Sequence, residues 1–127
     1  MNDSSKTSPF GQQVTFLSVT DLDRSSRFYG SVLELPLILD QGPCRIYGVS
    51  TSAFIGICTC TGAPQTEGVI ITLVTSDIDD WYARLQASDT LITKEPTFNE
   101  RFNITHFFAR DPDGYTIEVQ TFHDSAW

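Results

Sequence analysis

Residues 14–23 read VTFLSVTDLD, and residues 70–79 read IITLVTSDID. The two stretches superpose at an offset of 56 positions, and each is an apolar strand followed by the acidic start of a helix. Each copy continues as a short helix and several further strands. Such a repeat indicates two similar modules that bury their sheets together around one shared concavity. We therefore expect function to reside in that concavity.

The order of elements is strand, helix and three strands, twice over, which predicts an α+β fold. Residues 1–12 are polar and predict a flexible N-terminal tail. Residues 13–127 predict a single domain, with module one at about 13–61 and module two at about 68–122. A linker rich in Gly, Pro and Thr separates the two modules.

Composition narrows the classes of partner. The chain has 127 residues and a net charge of −8, which argues against nucleic acid and anionic membranes. No apolar run reaches the roughly 18 to 20 residues of a membrane span, and the N-terminus lacks the pattern of a signal peptide. We therefore predict a cytoplasmic protein with three reduced cysteines.

Two sequence motifs resemble those of a known protein family. Residues 21–29 read D-L-x-x-S-x-x-F-Y, and residues 111–118 read D-P-D-G-Y-x-x-E. Together they resemble the vicinal oxygen chelate superfamily, which holds glyoxalase I, the extradiol dioxygenases and the bleomycin-resistance proteins. The resemblance implies two βαβββ modules that form a cupped half-barrel, and a homodimer. One departure is Glu34, where the family usually has Gly after the first helix; Glu34 would adopt the left-handed conformation at some cost or end the helix differently.

The resemblance also implies one divalent metal, held by four side chains of the cup. Val14 occupies the first of these positions and Ile70 the third (Val69 if the register slips by one), and neither side chain can ligate a metal. The second position falls within residues 42–64, where no Asp, Glu, His, Asn or Gln occurs. Only Glu118 remains, so we predict no metal and no cofactor. A zinc site improvised from Cys58, Cys60 and Glu118 is an alternative, against the favoured interpretation of small buried side chains.

Strand parity predicts which side chains face the cup. A two-residue turn at Thr51-Ser52 would pair Ile46 with Ile57 on the helix side of the sheet. Arg45 and Tyr47 would then face the cup. The candidate ligand-binding residues are then Phe16, Arg45, Tyr47, Cys58, Thr72 and His106. The facing of His106 stays open, because a four-residue turn opposes Phe107 to Glu118, whereas a bulged three-residue turn opposes Phe108 and brings His106 towards Gln120.

The polar residues of the predicted cup allow two arrangements. Arg45 pairs with Glu118 to neutralise it, or Arg45 contacts a ligand and Glu118 serves as a catalytic general base. The leading hypothesis is a metal-free protein that binds a small hydrophobic or aromatic molecule. The alternatives are a lyase, isomerase or dioxygenase that uses Glu118 with His106 or an unusual metal site, and an interaction module of a larger assembly.

Overall fold

The structure is a computed structural model that describes residues 8–127. The predicted tail therefore lies partly outside the described residues, and its residues 8–12 are exposed. The strands are β1 (Gln13–Ser18), β2 (Leu37–Asp40), β3 (Cys44–Gly48), β4 (Ala53–Cys58), β5 (Ile70–Val74), β6 (Leu91–Asn99), β7 (Ile104–Arg110) and β8 (Thr116–Phe122). The helices are α1 (Leu22–Ser26), which a π-helical segment (Arg27–Val32) continues, and α2 (Ile78–Ala87).

The strands form two four-stranded sheets of the same topology. Their orders are β1-β4-β3-β2 and β5-β8-β7-β6. In each sheet the first strand pairs in parallel with the last strand of its module, and the remaining pairs are antiparallel. The fold is therefore α+β with two βαβββ modules, as the sequence predicts.

The first helical region begins and ends at residues that the sequence marks. The carboxylate of Asp21 accepts a hydrogen bond from the Arg24 amide at 3.0 Å, which caps the start of α1. Glu34 follows the π-helical segment with φ of 58°, so it takes the left-handed conformation that glycine adopts at lower cost. Its carboxylate forms an ion pair with Arg84 of α2, which links the helical regions of the two modules.

One face of each sheet packs against the helices, and the helix-facing sides of the two sheets share a single core. Its members include Leu17, Tyr29, Tyr47, Ile57, Leu85, Phe107, Ile117 and Val119. We call the opposite face of each sheet its open face. The first open face carries Val14, Phe16, Ser18, Cys44, Ile46, Phe54, Gly56 and Cys58. The second carries Ile70, Thr72, Val74, His106, Phe108, Thr116, Glu118 and Gln120. Each open face leaves large apolar side chains in solvent, with Phe16 52% and Ile70 57% exposed.

A buried polar link joins the two modules on the helix side. The Tyr29 hydroxyl donates to Asp111 Oδ2 at 2.7 Å, and Asp111 Oδ1 accepts from the amides of Asp113 and Tyr115. Burial raises the pKa of the Asp111 carboxyl, and burial together with the Asp111 charge raises the pKa of Tyr29 well above its ordinary value. The D-P-D-G motif thus forms a turn whose first residue anchors the helix of the other module.

The register of β3 differs from the sequence prediction. Gly48 pairs with Phe54, and the Val49 amide donates to the Ala53 carbonyl, so the connecting loop is residues 50–52. This loop is one residue longer than the predicted two-residue turn. A one-residue change in register moves every side chain of a strand to its other face. Arg45 and Tyr47 therefore lie on the helix side, contrary to the prediction.

The cysteines also differ from expectation. Cys44 and Cys58 are directly opposite each other on β3 and β4 and form a disulfide, with 4.2 Å between their Cα atoms. The prediction of three reduced thiols, which rested on the odd number of cysteines and the absence of a secretion signal, is therefore wrong for this pair. Cys60 is a free and exposed thiol.

None of the helices in residues 8–127 has both the length and the apolar character needed to cross a membrane.

Candidate functional site

Three polar side chains form a connected group on the second open face. The Thr72 hydroxyl donates to Glu118 Oε1 at 2.8 Å, and His106 Nδ1 lies 2.7 Å from Glu118 Oε2. Parallel pairing of β5 with β8 places Thr72 beside Glu118. The three-residue turn after β7 places His106 beside Gln120, which is the bulged-turn alternative. The structure thus brings together three of the residues that the sequence singled out.

The imidazole of His106 has one nitrogen bound and one without a partner. An ionised Glu118 can only accept, so Nδ1 donates in this hydrogen bond. When the imidazole is neutral, Nε2 then carries a free lone pair. Among the residues that the structure describes, His106 Nε2 is a buried atom with no hydrogen-bond partner. The side chain is only 8% exposed, and the Phe108 ring packs edge-on against it at 5.0 Å. A buried polar atom without a hydrogen-bond partner is uncommon in folded proteins and calls for a partner.

A cavity lies next to this group at the seam of the two sheets. It measures about 280 Å³ and is lined by side chains of β1, β4 and β5, including Phe54, Ile70 and Thr72. Thr72 therefore contacts both the cavity and Glu118. The combination of an apolar cavity with a few polar groups at its margin is typical of small-molecule sites.

Phe16 and Cys58 lie on the first open face, as strand parity predicts. The Phe16 ring covers Gly56, where an added Cβ would lie 2.5 Å from the ring atom Cε1. Cys58 is buried and bonded to Cys44. These residues offer a ligand an aromatic surface, and Cys58 has no free thiol.

Arg45 and Tyr47 do not belong to this site. The Arg45 guanidinium donates to Ser26 Oγ at 2.7 Å and to Asp23 Oδ1 at 3.1 Å, both in α1. Tyr47 is buried in the core against Gly30 of the π-helical segment. The predicted pairing of Arg45 with Glu118 is therefore wrong, because Glu118 is held instead by His106 and Thr72.

The donor set does not match a divalent metal site. Val14 and Ile70 lie on the open faces, where their side chains offer no donor atom. In residues 8–127 no cluster of three or more His, Cys, Asp or Glu side chains is arranged to hold a metal ion. Cys58, Cys60 and Glu118 accordingly do not converge. Both carboxylate oxygens of Glu118 are already hydrogen-bonded.

A sequence profile of the Glyoxalase/Bleomycin resistance protein/Dioxygenase superfamily matches residues 11–119. The chain belongs to this superfamily. The match includes both motifs on which the resemblance rests, and it spans β1 through most of β8.

Curated relatives and solved structures agree with this membership. A lactoylglutathione lyase of Haemophilus influenzae is 32% identical over 120 residues, which cover 82% of this chain and 87% of that protein. A probable lactoylglutathione lyase of Vibrio cholerae is 29% identical over 126 residues, which cover 83% and 86%. The crystal structure of TioX from Micromonospora sp. ML1 matches with a TM-score of 0.74 at 18% identity, over 87% of this chain and 97% of TioX. The last similarity shows the fold alone.

Two features of the open faces were not predicted from the sequence. Cys44 was not expected opposite Cys58, although the correct β3 parity follows once the loop is given three residues. Gly56 was not recognised as the seat of the Phe16 ring. A glycine inside an apolar strand is the available signal, since it often marks a close approach by another group.

Proposed function

We propose that this protein binds a small aromatic or hydrophobic molecule that carries one polar group, and that His106 Nε2 is the acceptor for that group. The single observation that supports this is the buried Nε2 of His106, which has no hydrogen-bond partner among the described residues. Leaving a buried polar atom without a partner costs about 1 to 3 kcal/mol. A ligand hydroxyl or N–H would recover this free energy.

The polar chain behind His106 supports the same assignment. Glu118 is hydrogen-bonded to Nδ1 of His106, and the Thr72 hydroxyl donates a hydrogen bond to Glu118. These contacts fix the orientation of the imidazole and its tautomer. Because Nε2 is covered in the free protein, a ligand reaches it when a neighbouring side chain such as Phe108 moves. Phe16 and Ile70 supply exposed apolar surface for the remainder of the ligand.

The proposed site uses no metal. A divalent ion in this fold needs donors from both modules, and the first open face provides none at the position of Val14. One carboxylate with both oxygens occupied is too small a donor set for a catalytic ion.

We also propose that two copies of the chain associate through the open faces. Val14 and Val74, which the proposed ligand contacts do not use, are both more than a third exposed in the single chain. Exposed apolar side chains on a sheet face are often covered by a partner. Apolar contact would persist at high ionic strength, whereas charge pairing would weaken.

A second candidate function is acid–base catalysis. The carboxylate–imidazole pair is the arrangement in which a neutral Nε2 takes a proton from a substrate and the resulting imidazolium is stabilised. The name lactoylglutathione lyase, carried by two relatives, favours an enzyme of lyase type. In this role His106 is the base, and Glu118 is the residue that orients it.

Ligand screening with matched histidine variants tests both candidates. A panel of phenols and aromatic amides is titrated into the wild type, His106→Ala and His123→Ala. His123 is the other histidine of the chain and sits in an exposed segment. We expect His106→Ala to weaken binding about tenfold and His123→Ala to leave it unchanged.

Metal content and hydrogen exchange separate the outcomes. Binding that survives extensive chelation supports the proposal, whereas stoichiometric zinc, nickel, iron or manganese whose removal abolishes binding overturns it. His106-dependent exchange of a ligand carbon-bound hydrogen in D₂O favours the catalytic candidate. Light scattering that gives the mass of one chain at micromolar concentration contradicts the proposed dimer.

A further inference from the structure

A second cleft lies on the helix side of the sheets, away from the open faces. It measures about 350 Å³ and runs between the first module's helical region and the loop and turn at the ends of α2 and β7. Phe28, Val32 and Leu91 form its apolar surface, and Arg24, Arg27 and Arg110 line it with guanidinium groups. Both modules therefore contribute to its walls.

The cleft concentrates basic side chains in an acidic protein. The protein carries a net charge of −8 and has only eight basic residues, and three of them line this one cleft. Asp89 and Asp111 line it as well. The Asp111 oxygens, however, already accept from Tyr29, Asp113 and Tyr115. Guanidinium donors are thus in excess over free carboxylate acceptors.

The arginines are held to different degrees. Arg24 Nη2 donates to Thr20 at 2.9 Å and lies 3.2 Å from Asp113 Oδ1. Arg110 Nη1 donates to the Gly114 carbonyl at 2.9 Å. Within the described chain the guanidinium of Arg27 makes no hydrogen bond or ion pair. Each guanidinium has five N–H donors, so two of the arginines are positioned with donors to spare, and Arg27 has all five of its donors unused by the described residues.

The part of the cleft wall that comes from the first module has an unusual backbone conformation. Arg27, Phe28 and Val32 belong to the π-helical segment, in which the Leu33 amide donates to the Phe28 carbonyl five residues back. π-helical turns are rare in proteins, and they occur frequently at functional sites. Here the π-helical turn carries three of the cleft's lining side chains.

We propose that this cleft binds a small organic anion, with its carboxylate or phosphate on the guanidinium groups and its apolar part against Phe28, Val32 and Leu91. Arginine suits this role because its planar fork pairs with both anions in a bidentate manner. The volume lies at the lower end of the range of small-molecule sites, roughly 300 to 1,000 Å³. The site is separate from His106 and does not depend on the function proposed for the open face.

Titration of the ¹⁵N-labelled protein with four probes tests this site. The probes are phenyl phosphate, benzoate, inorganic phosphate and neutral benzyl alcohol. We expect phenyl phosphate and benzoate to shift the amides of Phe28, Thr90 and Leu91, with weaker binding at high salt. Stronger binding of phenyl phosphate than of inorganic phosphate supports the apolar part of the site, and comparison with benzoate identifies the preferred anion.

Matched arginine variants complete the test. Arg27→Gln and Arg110→Gln should each weaken phenyl phosphate binding about tenfold. Arg101→Gln, which removes an arginine that stacks on Phe102 outside the cleft, should leave it unchanged. Arg27→Lys should retain part of the affinity and guards against a folding defect in either glutamine variant. Equal binding of benzyl alcohol, shifts confined to Thr72 and His106, or unchanged affinity in both glutamine variants would overturn the proposal.

Discussion

The two open faces share one backbone plan and carry different chemistry. In the second sheet Thr72 pairs with Glu118, and at the equivalent place in the first sheet Phe16 pairs with Gly56. A hydroxyl and a carboxylate on one face thus correspond to a phenyl ring lying over a glycine on the other. The first module therefore offers no donor at this position, whereas the second has a hydrogen-bonded carboxylate.

The next pair of positions differs in the same way. His106 pairs with Gln120 in the second sheet, and Cys44 pairs with Cys58 at the equivalent place in the first. The first module is cross-linked there, whereas the second holds an imidazole with an unpaired nitrogen. The comparison teaches that a repeated fold supplies two scaffolds, and that a polar site needs only one of them.

Among the variants that test this comparison, removal of the disulfide should have the largest effect on the free energy of unfolding. The bond closes a loop with a sequence separation of 14, for which loop closure contributes about 3 kcal/mol. Cys44→Ala with Cys58→Ala should lower the free energy of unfolding by that amount, measured by urea denaturation. Cys60→Ala, which removes an exposed thiol, should change it little. Three reactive thiols in the denatured wild type, rather than one, would show that the cross-link does not form.

The helices offer a second contrast, because Tyr29 and Leu85 are equivalent at the repeat offset and both are fully buried. Only Tyr29 is polar there, and it donates to Asp111. Tyr29→Phe should cost about 2 kcal/mol, since Asp111 loses a buried donor. Tyr82→Phe on α2, which makes no hydroxyl hydrogen bond to a described residue, is the control and should cost less.

The same variant should change the alkaline stability profile. The pKa of Tyr29 is raised in the folded chain by burial and by the Asp111 charge. Its contribution to stability is therefore complete below the unfolded pKa of about 10 and is lost as the pH rises beyond it. Urea midpoints from pH 8 to 11 should fall more steeply for the wild type than for Tyr29→Phe. Parallel profiles would contradict this account.

On the second open face, Glu118→Gln should have a smaller effect on stability. The amide oxygen can still accept from His106, and its NH₂ can donate to Thr72, so we expect a loss of about 1 kcal/mol. The exposed Glu95→Gln is the matched control. Thermal unfolding measures the loss, and a cost above about 3 kcal/mol would indicate a buried ion pair instead.

The smallest effect is expected for Gly56→Ala, which tests the contact between the Phe16 ring and Gly56 on the first open face. The added methyl group would displace the Phe16 ring, which is half exposed and can rotate. We expect a cost of about 0.5 kcal/mol and a clear change in the Phe16 ring resonances. In a Phe16→Ala background the same substitution should be neutral. A large loss of stability in that background would place the conflict in the backbone.

Much of the candidate site follows from the sequence. Glu118 lies on a strand whose alternate residues Ile117 and Val119 are apolar, so only one facing buries the core side. Phe16 and Thr72 are equivalent at the repeat offset, next to Leu17 and Leu73, so the repeat predicts the same facing for both. The sequence allows two facings for His106, because the turn after β7 can have either three or four residues. Its unpaired nitrogen depends on packing around Phe108 and on the bond to Glu118, which no local pattern encodes.

The sequence by itself determined the repeated βαβββ order, because apolar periodicity and the D-P-D-G turn are local signals. Only the tertiary structure decided the facing of β3. The side chains of Arg45, Ile46 and Tyr47 all have large apolar parts, so each could be buried. The strand therefore shows no clear alternation of polar and apolar residues. A loop of three residues in place of two then reverses the faces. That reversal moves Arg45 to α1 and brings Cys44 opposite Cys58, and it depends on core packing around Tyr47 that forms only when sheet and helix meet.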